Sequence, residues 1–143
     1  MLAAQTKPKA PSETKPQLPA RLFLSDGIPP LKQACEFTLL VEEKAPPFLR
    51  MECVILNLCY VLIDPFLILP EYAPEFSDAS CEEVGLSATD KPLVLAIVNF
   101  SRGVEHATAN LVGPLLVHPH TGKAKQVILQ NAGHYSARFK LLR

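Results

Sequence analysis

The chain has 143 residues, room for one domain of ordinary size and too little for two with separate large cores. Hydrophobic residues make up 48% and mean hydropathy is +0.17, which excludes a chain that is disordered throughout. The formal net charge is zero, but the signs are segregated: Met51 to Asp90 holds no Lys or Arg against eight acids, whereas Lys91 to Arg143 holds seven basic residues and the single acid Glu105. Such a chain presents one negative and one positive region, which either neutralise each other within the fold or leave an acidic docking face for a basic partner.

Residues 1–20 carry Pro8, Pro11, Pro16 and Pro19 among Lys, Thr, Ser and Gln, with almost nothing to bury. They read as a disordered or extended tail, leaving 21–143 as the folded domain. Lys7, Lys9 and Lys15 are too few and too widely spaced for more than weak phosphate attraction. The stretch lacks the apolar core of a secretory signal, so the expected compartment is the cytoplasm. Arg21 to Leu24 reads as a first strand ended by the turn Ser25-Asp26-Gly27, and Glu36 to Glu42 as a second, closed by Glu43-Lys44-Ala45-Pro46-Pro47. Phe48 to Cys53 alternates, with Leu49, Met51 and Cys53 on one face and Phe48, Arg50 and Glu52 on the other, the pattern of a strand with one wet side.

Leu58 to Ile63 follows after a bend near Asn57 and runs into Asp64-Pro65. The apolar run resumes for four residues and stops again at Pro70-Glu71-Tyr72. Proline interrupts regular structure at both places, so the expected path is a buried strand, a tight corner, a short extended piece and a second exit. The longest apolar window, Cys53 to Pro70, contains Asn57, Asp64 and two prolines, which excludes a membrane-spanning helix. Ser77 or Asp78 then caps a helix of about two turns, with Glu82 and Glu83 in its body and Gly85 at its end. Leu93 to Asn99 is a continuous apolar strand and Ser101-Arg102-Gly103 a turn. Leu115 to His118 and Gln126 to Leu129 are further strands, with turns at His120-Thr121-Gly122 and Asn131-Ala132-Gly133-His134, and Tyr135 to Leu142 finishes the domain. Many short strands with Pro and Gly corners predict an all-β, mainly antiparallel domain, barrel-like or sandwich-like, with one short helix.

No nucleophile elbow, phosphate-binding glycine loop, dinucleotide fingerprint or His-Glu-x-x-His helix is present, so nucleotide chemistry has no foothold in the sequence. His118 and His120 share a face of an extended segment but have no nearby Cys or acid in sequence, a poor metal site. No metal and no cofactor are expected. Cys35, Cys53, Cys59 and Cys81 form no Cys-x-x-Cys pair and read as small buried hydrophobes, although Cys53 and Cys59 are placed to face each other across a hairpin. Asp64, the one acid inside the apolar run, is either a base with a raised pKa or, as turn chemistry favours, the cap of its own corner. Asn110 reads as a buried side chain tying two loops together.

Several segments together resemble the flagellar assembly factor FliW family. They are Gly27-Ile28-Pro29 after the first strand, the Phe48 to Cys53 strand, Asp64-Pro65 with Pro70-Glu71-Tyr72 downstream, and the helix before Gly85-Leu86. Thr108-Ala109-Asn110-Leu111 with Pro114, Gln126-Val127-Ile128-Leu129 and Tyr135-Ser136-x-Arg138 complete a likeness that covers residues 22–142. The chain departs from the family pattern at Pro30 and Leu31, where a glycine and an aromatic are usual, at Met51-Glu52-Cys53 in place of Leu-Gln-Ser, and at Gly113 in place of alanine.

The resemblance implies a non-enzymatic cytoplasmic protein that binds flagellin before export and also binds the translational regulator CsrA, relieving its repression of the flagellin message; the expected state is a monomer. Neither a membrane nor direct contact with nucleic acid belongs to that picture. In it the acids Glu71, Glu75, Asp78, Glu82 and Glu83 are the expected face for basic CsrA. Ile28, Leu31 and Tyr72 are the expected apolar surface for flagellin, while Asp64, Pro65, Asn110, Pro114, Tyr135 and Arg138 hold the fold. The alternative, a small β-barrel that binds nucleic acid, needs a basic groove with interleaved aromatics, against which stand no Trp, three Tyr and an acid-only middle third.

Overall fold

A computed structural model describes residues 18–28, 33 and 35–142. Nine strands form one sheet: β1 (Arg21–Leu24), β2 (Cys35–Val41), β3 (Leu49–Cys53), β4 (Leu58–Ile63), β5 (Leu93–Asn99), β6 (Thr108–Ala109), β7 (Leu115–Val117), β8 (Lys123–Gln126) and β9 (Phe139–Lys140). Their spatial order is β4-β3-β2-β1-β8-β7-β5-β6-β9, and β4 also pairs with β5. That extra pairing closes seven strands into a barrel and leaves β6 and β9 as a flap on β5. Every pairing is antiparallel except β1 with β8, where Phe23 lies opposite Lys123 and Leu24 opposite Ala124. Of the two architectures the sequence left open, the molecule adopts the barrel.

The alternation of β3 is realised in full. Leu49, Met51 and Cys53 are buried inside the barrel, while on the outer side Arg50 bridges Glu42 at 3.2 Å and Glu52 at 2.7 Å. The unbroken apolar run of β5 has a different cause, because both its faces are covered. Leu93, Leu95 and Ile97 point into the barrel, whereas Val94, Ala96 and Val98 join a second core on the outside with Ile63, Tyr72, Ala109, Leu111 and Leu129. β7 follows the same logic: Leu115 and Val117 face in, and Leu116 packs outward against Val84 and Val127.

Two helices interrupt the strands, α1 (Pro65–Ile68) and α2 (Asp78–Glu83). The expected extended piece after Asp64 is α1 instead. Pro65 occupies the first turn, where a missing amide costs nothing, and the Asp64 carboxylate accepts the Phe66 amide at 2.9 Å. Asp64 is therefore the cap of its corner. α2 begins as the sequence predicts, with the Ser77 hydroxyl accepting the Ser80 amide at 3.1 Å, and Gly85 follows it at φ +79.

Three further expectations shift. The strand placed at Gln126 to Leu129 runs over Lys123–Gln126, while Val127 and Leu129 donate their amides to the loop carbonyls of Pro114 and Val112. Cys53 lies opposite Leu58 rather than Cys59, and all four cysteines are free thiols. Asn110 closes its own loop, its side-chain oxygen accepting the amides of Val112 and Gly113 at 3.0 and 2.9 Å, instead of joining two loops. The tail expected over 1–20 falls outside the described residues up to position 17.

Candidate functional site

The acidic stretch from Glu71 to Glu83 lies on the outer surface, and its backbone is fastened by residues that follow β8. Tyr72 turns inward, 3% exposed, and its hydroxyl donates to the Leu111 carbonyl at 2.7 Å. The Ala73 amide donates to the Tyr135 hydroxyl at 2.9 Å, and the Tyr135 ring packs on that of Tyr72 with centroids 4.8 Å apart. Asn131 clamps the residues on either side of Pro74, accepting the Glu75 amide at 3.0 Å and donating to the Ala73 carbonyl at 2.9 Å. The Glu75 carbonyl in turn accepts the Gln130 amide at 2.8 Å. Burial, together with the neighbouring Tyr135, pushes the Tyr72 hydroxyl well above the usual tyrosine range.

On this fixed backbone the carboxylates point out. Glu71, Glu75, Asp78, Glu82 and Glu83 are all exposed. Glu83 accepts from the Lys125 ammonium at 2.8 Å, and the same ammonium reaches Asp26 at 3.1 Å. The hydrogen bond to Glu83 and then that to Asp26 raise the Lys125 pKa above its ordinary value. Among the described residues no cation lies within ion-pair distance of Glu71, Glu75, Asp78 or Glu82. The segregation of charge seen in the sequence is thus neutralised at Glu83 and left open at the other four positions.

The apolar residues expected beside this stretch are placed differently. Ile28 is 4% exposed and packs inside the barrel, and Tyr72 is a core residue, so neither presents an open surface; Leu31 lies outside the described residues. Exposed apolar side chains occur instead at Phe66 and Leu67 of α1, where the Phe66 ring lies 5.6 Å from that of Tyr72. Val54 and Ile55, 88% and 93% exposed, form the tip of the β3–β4 hairpin. The tip was legible as a turn from Asn57, which takes φ 54, but nothing in the sequence separated its exposed aliphatics from buried ones.

The remaining candidates make contacts within the fold. The Pro114 carbonyl accepts the Val127 amide at 3.0 Å, and the Arg138 amide donates to the Ser136 hydroxyl at 3.0 Å. His118 is buried, with Nδ1 accepting the amides of His120 and Thr121 at 3.1 and 3.2 Å and Nε2 3.7 Å from Asp90. The Ser87 amide and hydroxyl lower the Asp90 pKa. Among the described residues no group of three or more His, Cys, Asp or Glu side chains is arranged to hold a metal ion, and none of the helices is long and apolar enough to cross a membrane.

The sequence profile of the family described as FliW protein matches residues 5–141. The chain belongs to the FliW family. Its relatives include the flagellar assembly factor FliW of Moorella thermoacetica, 31% identical over 85% of this chain and 78% of that protein. The Thermotoga neapolitana factor is 32% identical over 77% and 75%, and the Bacillus subtilis factor 25% over 79% and 80%. A crystal structure of a flagellar assembly factor FliW superposes with a TM-score of 0.77 at 28% identity, covering 87% of this chain and 86% of that one. The barrel described above is the FliW fold, and the profile match begins well before the first described strand.

Proposed function

We propose that this flagellar assembly factor is a non-enzymatic cytoplasmic binding protein that holds flagellin before export. Once flagellin has left, it binds the translational regulator CsrA and relieves repression of the flagellin message. The observation that carries the reading is the exposed, rigidly backed run of carboxylates at Glu71, Glu75, Asp78 and Glu82, left without cationic partners among the described residues. An RNA-binding regulator presents basic residues, and a fixed negative surface attracts them while repelling RNA phosphate. Flagellin's apolar contact falls to exposed side chains such as Phe66 and Leu67, beside the buried Tyr72.

Size-exclusion chromatography of the protein with flagellin and CsrA, singly and together, tests the switch: each co-elutes alone and one displaces the other. Charge reversal at Glu71 and Glu75 weakens CsrA binding with little loss of fold. Unchanged affinity at low salt rejects the acidic face, and binding of neither partner rejects the function.

A further inference from the structure

The β3–β4 hairpin outruns its neighbour in the barrel. β5 pairs with β4 only at Val61, Leu62 and Ile63, opposite Val98, Ile97 and Ala96. Beyond Asn99 the chain leaves the ladder: the Ser101 amide donates to the Asn99 side-chain oxygen at 2.8 Å, and the Gly103 amide to the Phe100 carbonyl at 2.8 Å. Leu58, Cys59 and Tyr60 are therefore paired to β3 on one side and, among the described residues, to no strand on the other. The turn that precedes them carries Val54 and Ile55, the most exposed large apolar side chains among the described residues.

An open edge ordinarily carries a charge, a proline or a bulge that keeps other strands away. This edge has none of the three. From Cys53 to Ile63 there is no Lys, Arg, Asp, Glu or Pro. The register against β3 runs without a bulge from Leu49 opposite Leu62 to Cys53 opposite Leu58. Glu52, the charge beside Cys59 on the outer face, is neutralised by Arg50 at 2.7 Å. We propose that the edge is closed by the same edge of a second copy, the two β4 strands running antiparallel about a two-fold axis at Cys59. An antiparallel edge is its own complement under such an axis, and an uncharged one meets itself without repulsion. The symmetry fixes the register. Cys59 faces Cys59 on the outer side, and Leu58 of each copy lies opposite Tyr60 of the other on the side of the barrel core, against which both are already partly buried. Val54 and Ile55 of one hairpin then reach the turn after β5 of the other, where Val104 is 68% exposed. The monomer expected from the sequence is the dilute form of this dimer.

Sedimentation equilibrium of the full chain under reducing conditions, from micromolar to near-millimolar concentration, tests it. The expected result is a mass that rises from 15.7 kDa toward twice that value; a chain that stays at 15.7 kDa throughout overturns the proposal. Cys59→Lys puts a like charge on both edges at an exposed position. In dilute solution this variant melts with the parent, and its dimer dissociates at least about tenfold more readily. A dimer of unchanged affinity in Cys59→Lys refutes the edge as its seat. A covalent readout checks the register, because directly opposed residues of an antiparallel pair have Cα atoms about 4.5–5.5 Å apart, within reach of a disulfide. Diamide added to the concentrated parent takes two electrons and two protons from the paired thiols, joining their sulfurs, and is itself reduced to the hydrazine. Peptide mass spectrometry then finds Cys59 linked to Cys59, and the covalent dimer is lost in Cys59→Ser. Links through Cys35, Cys53 or Cys81 in its place, or no covalent dimer, overturn the proposed pairing.

Discussion

Changing Tyr72 to Phe deletes a single oxygen from the second core and leaves the ring contacts with Phe66 and Tyr135 in place. The hydroxyl donates to the carbonyl of Leu111, a residue with no exposure, so the acceptor loses this partner where water has little access. A buried acceptor left unsatisfied costs about 1–3 kcal/mol, and the second lone pair of a carbonyl places the expected loss in the lower half, about 1–2 kcal/mol. Urea unfolding at pH 8 reads this as a lower midpoint with an unchanged m-value. The pH dependence gives an independent check. Because burial raises the folded-state pKa of Tyr72, its neutral form contributes stability that is fully present below the free tyrosine value of about 10. That contribution is lost as pH rises through the folded-state value, at up to about 1.4 kcal/mol per pH unit. The Tyr72→Phe protein lacks this term, so the stability gap between the two proteins narrows above about pH 10. Lys125 titrates in the same region but is common to both proteins and cancels in the difference. A variant as stable as the parent, or a gap that stays constant from neutral pH into the alkaline range, refutes the reasoning.

Gly122 holds φ +79 with the Arg21 carbonyl in the place a Cβ would take, whereas Gly85 shares that φ with open space around it. Gly85→Ala therefore costs only the left-handed strain, about 1–2 kcal/mol, and Gly122→Ala measurably more, checked by comparing their urea midpoints. The extra loss accompanies faster hydrogen exchange at the Phe23 amide, which donates to the Gly122 carbonyl at 2.8 Å. Asn131→Ala removes both bonds to Ala73 and Glu75; the expected result is a loss of about 1–2 kcal/mol and accelerated exchange at the Glu75 amide. Replacing Val54 and Ile55 together with Ser changes thermal stability by less than about 0.5 kcal/mol, because the hairpin tip buries neither side chain.

Elements whose pattern has one physical cause were legible in the sequence. The alternation of β3 encodes one wet and one dry face, and Ser77 and Gly85 bracket α2 because each satisfies a helix end. The run Leu93 to Asn99 was legible as a continuous apolar strand, although not that its outer cover would come from β6, Tyr72 and Leu129. The rest depended on partners distant in the chain. Residues 65–68 form an apolar run too short for periodicity to separate strand from helix, and the proline read there as a barrier is the helix's first residue. Around β8 the apolar run Val127, Ile128 and Leu129 alternates in burial, but through pairing with the loop at Val112 and Pro114; the ladder itself uses the polar Lys123–Gln126. At the candidate site the run of acids was visible, whereas the burial of Tyr72 rests on an acceptor 39 residues away that sequence spacing does not disclose.

The lone parallel pairing also bears on how the protein is made. Joining Phe23 to Lys123 and Leu24 to Ala124 spans 100 residues in each case (123 − 23 and 124 − 24). A nascent chain leaving the ribosome can assemble the β1–β2–β3–β4 meander early, from neighbours in sequence. The ring cannot shut until β8 has emerged, and until then β1 carries an open edge able to pair with other strands. Biosynthesis thus leaves a window between the completion of β4 at Ile63 and the emergence of β8 at Lys123, set by the translation of about 60 residues at roughly 5–20 per second, in which this protein is an open sheet.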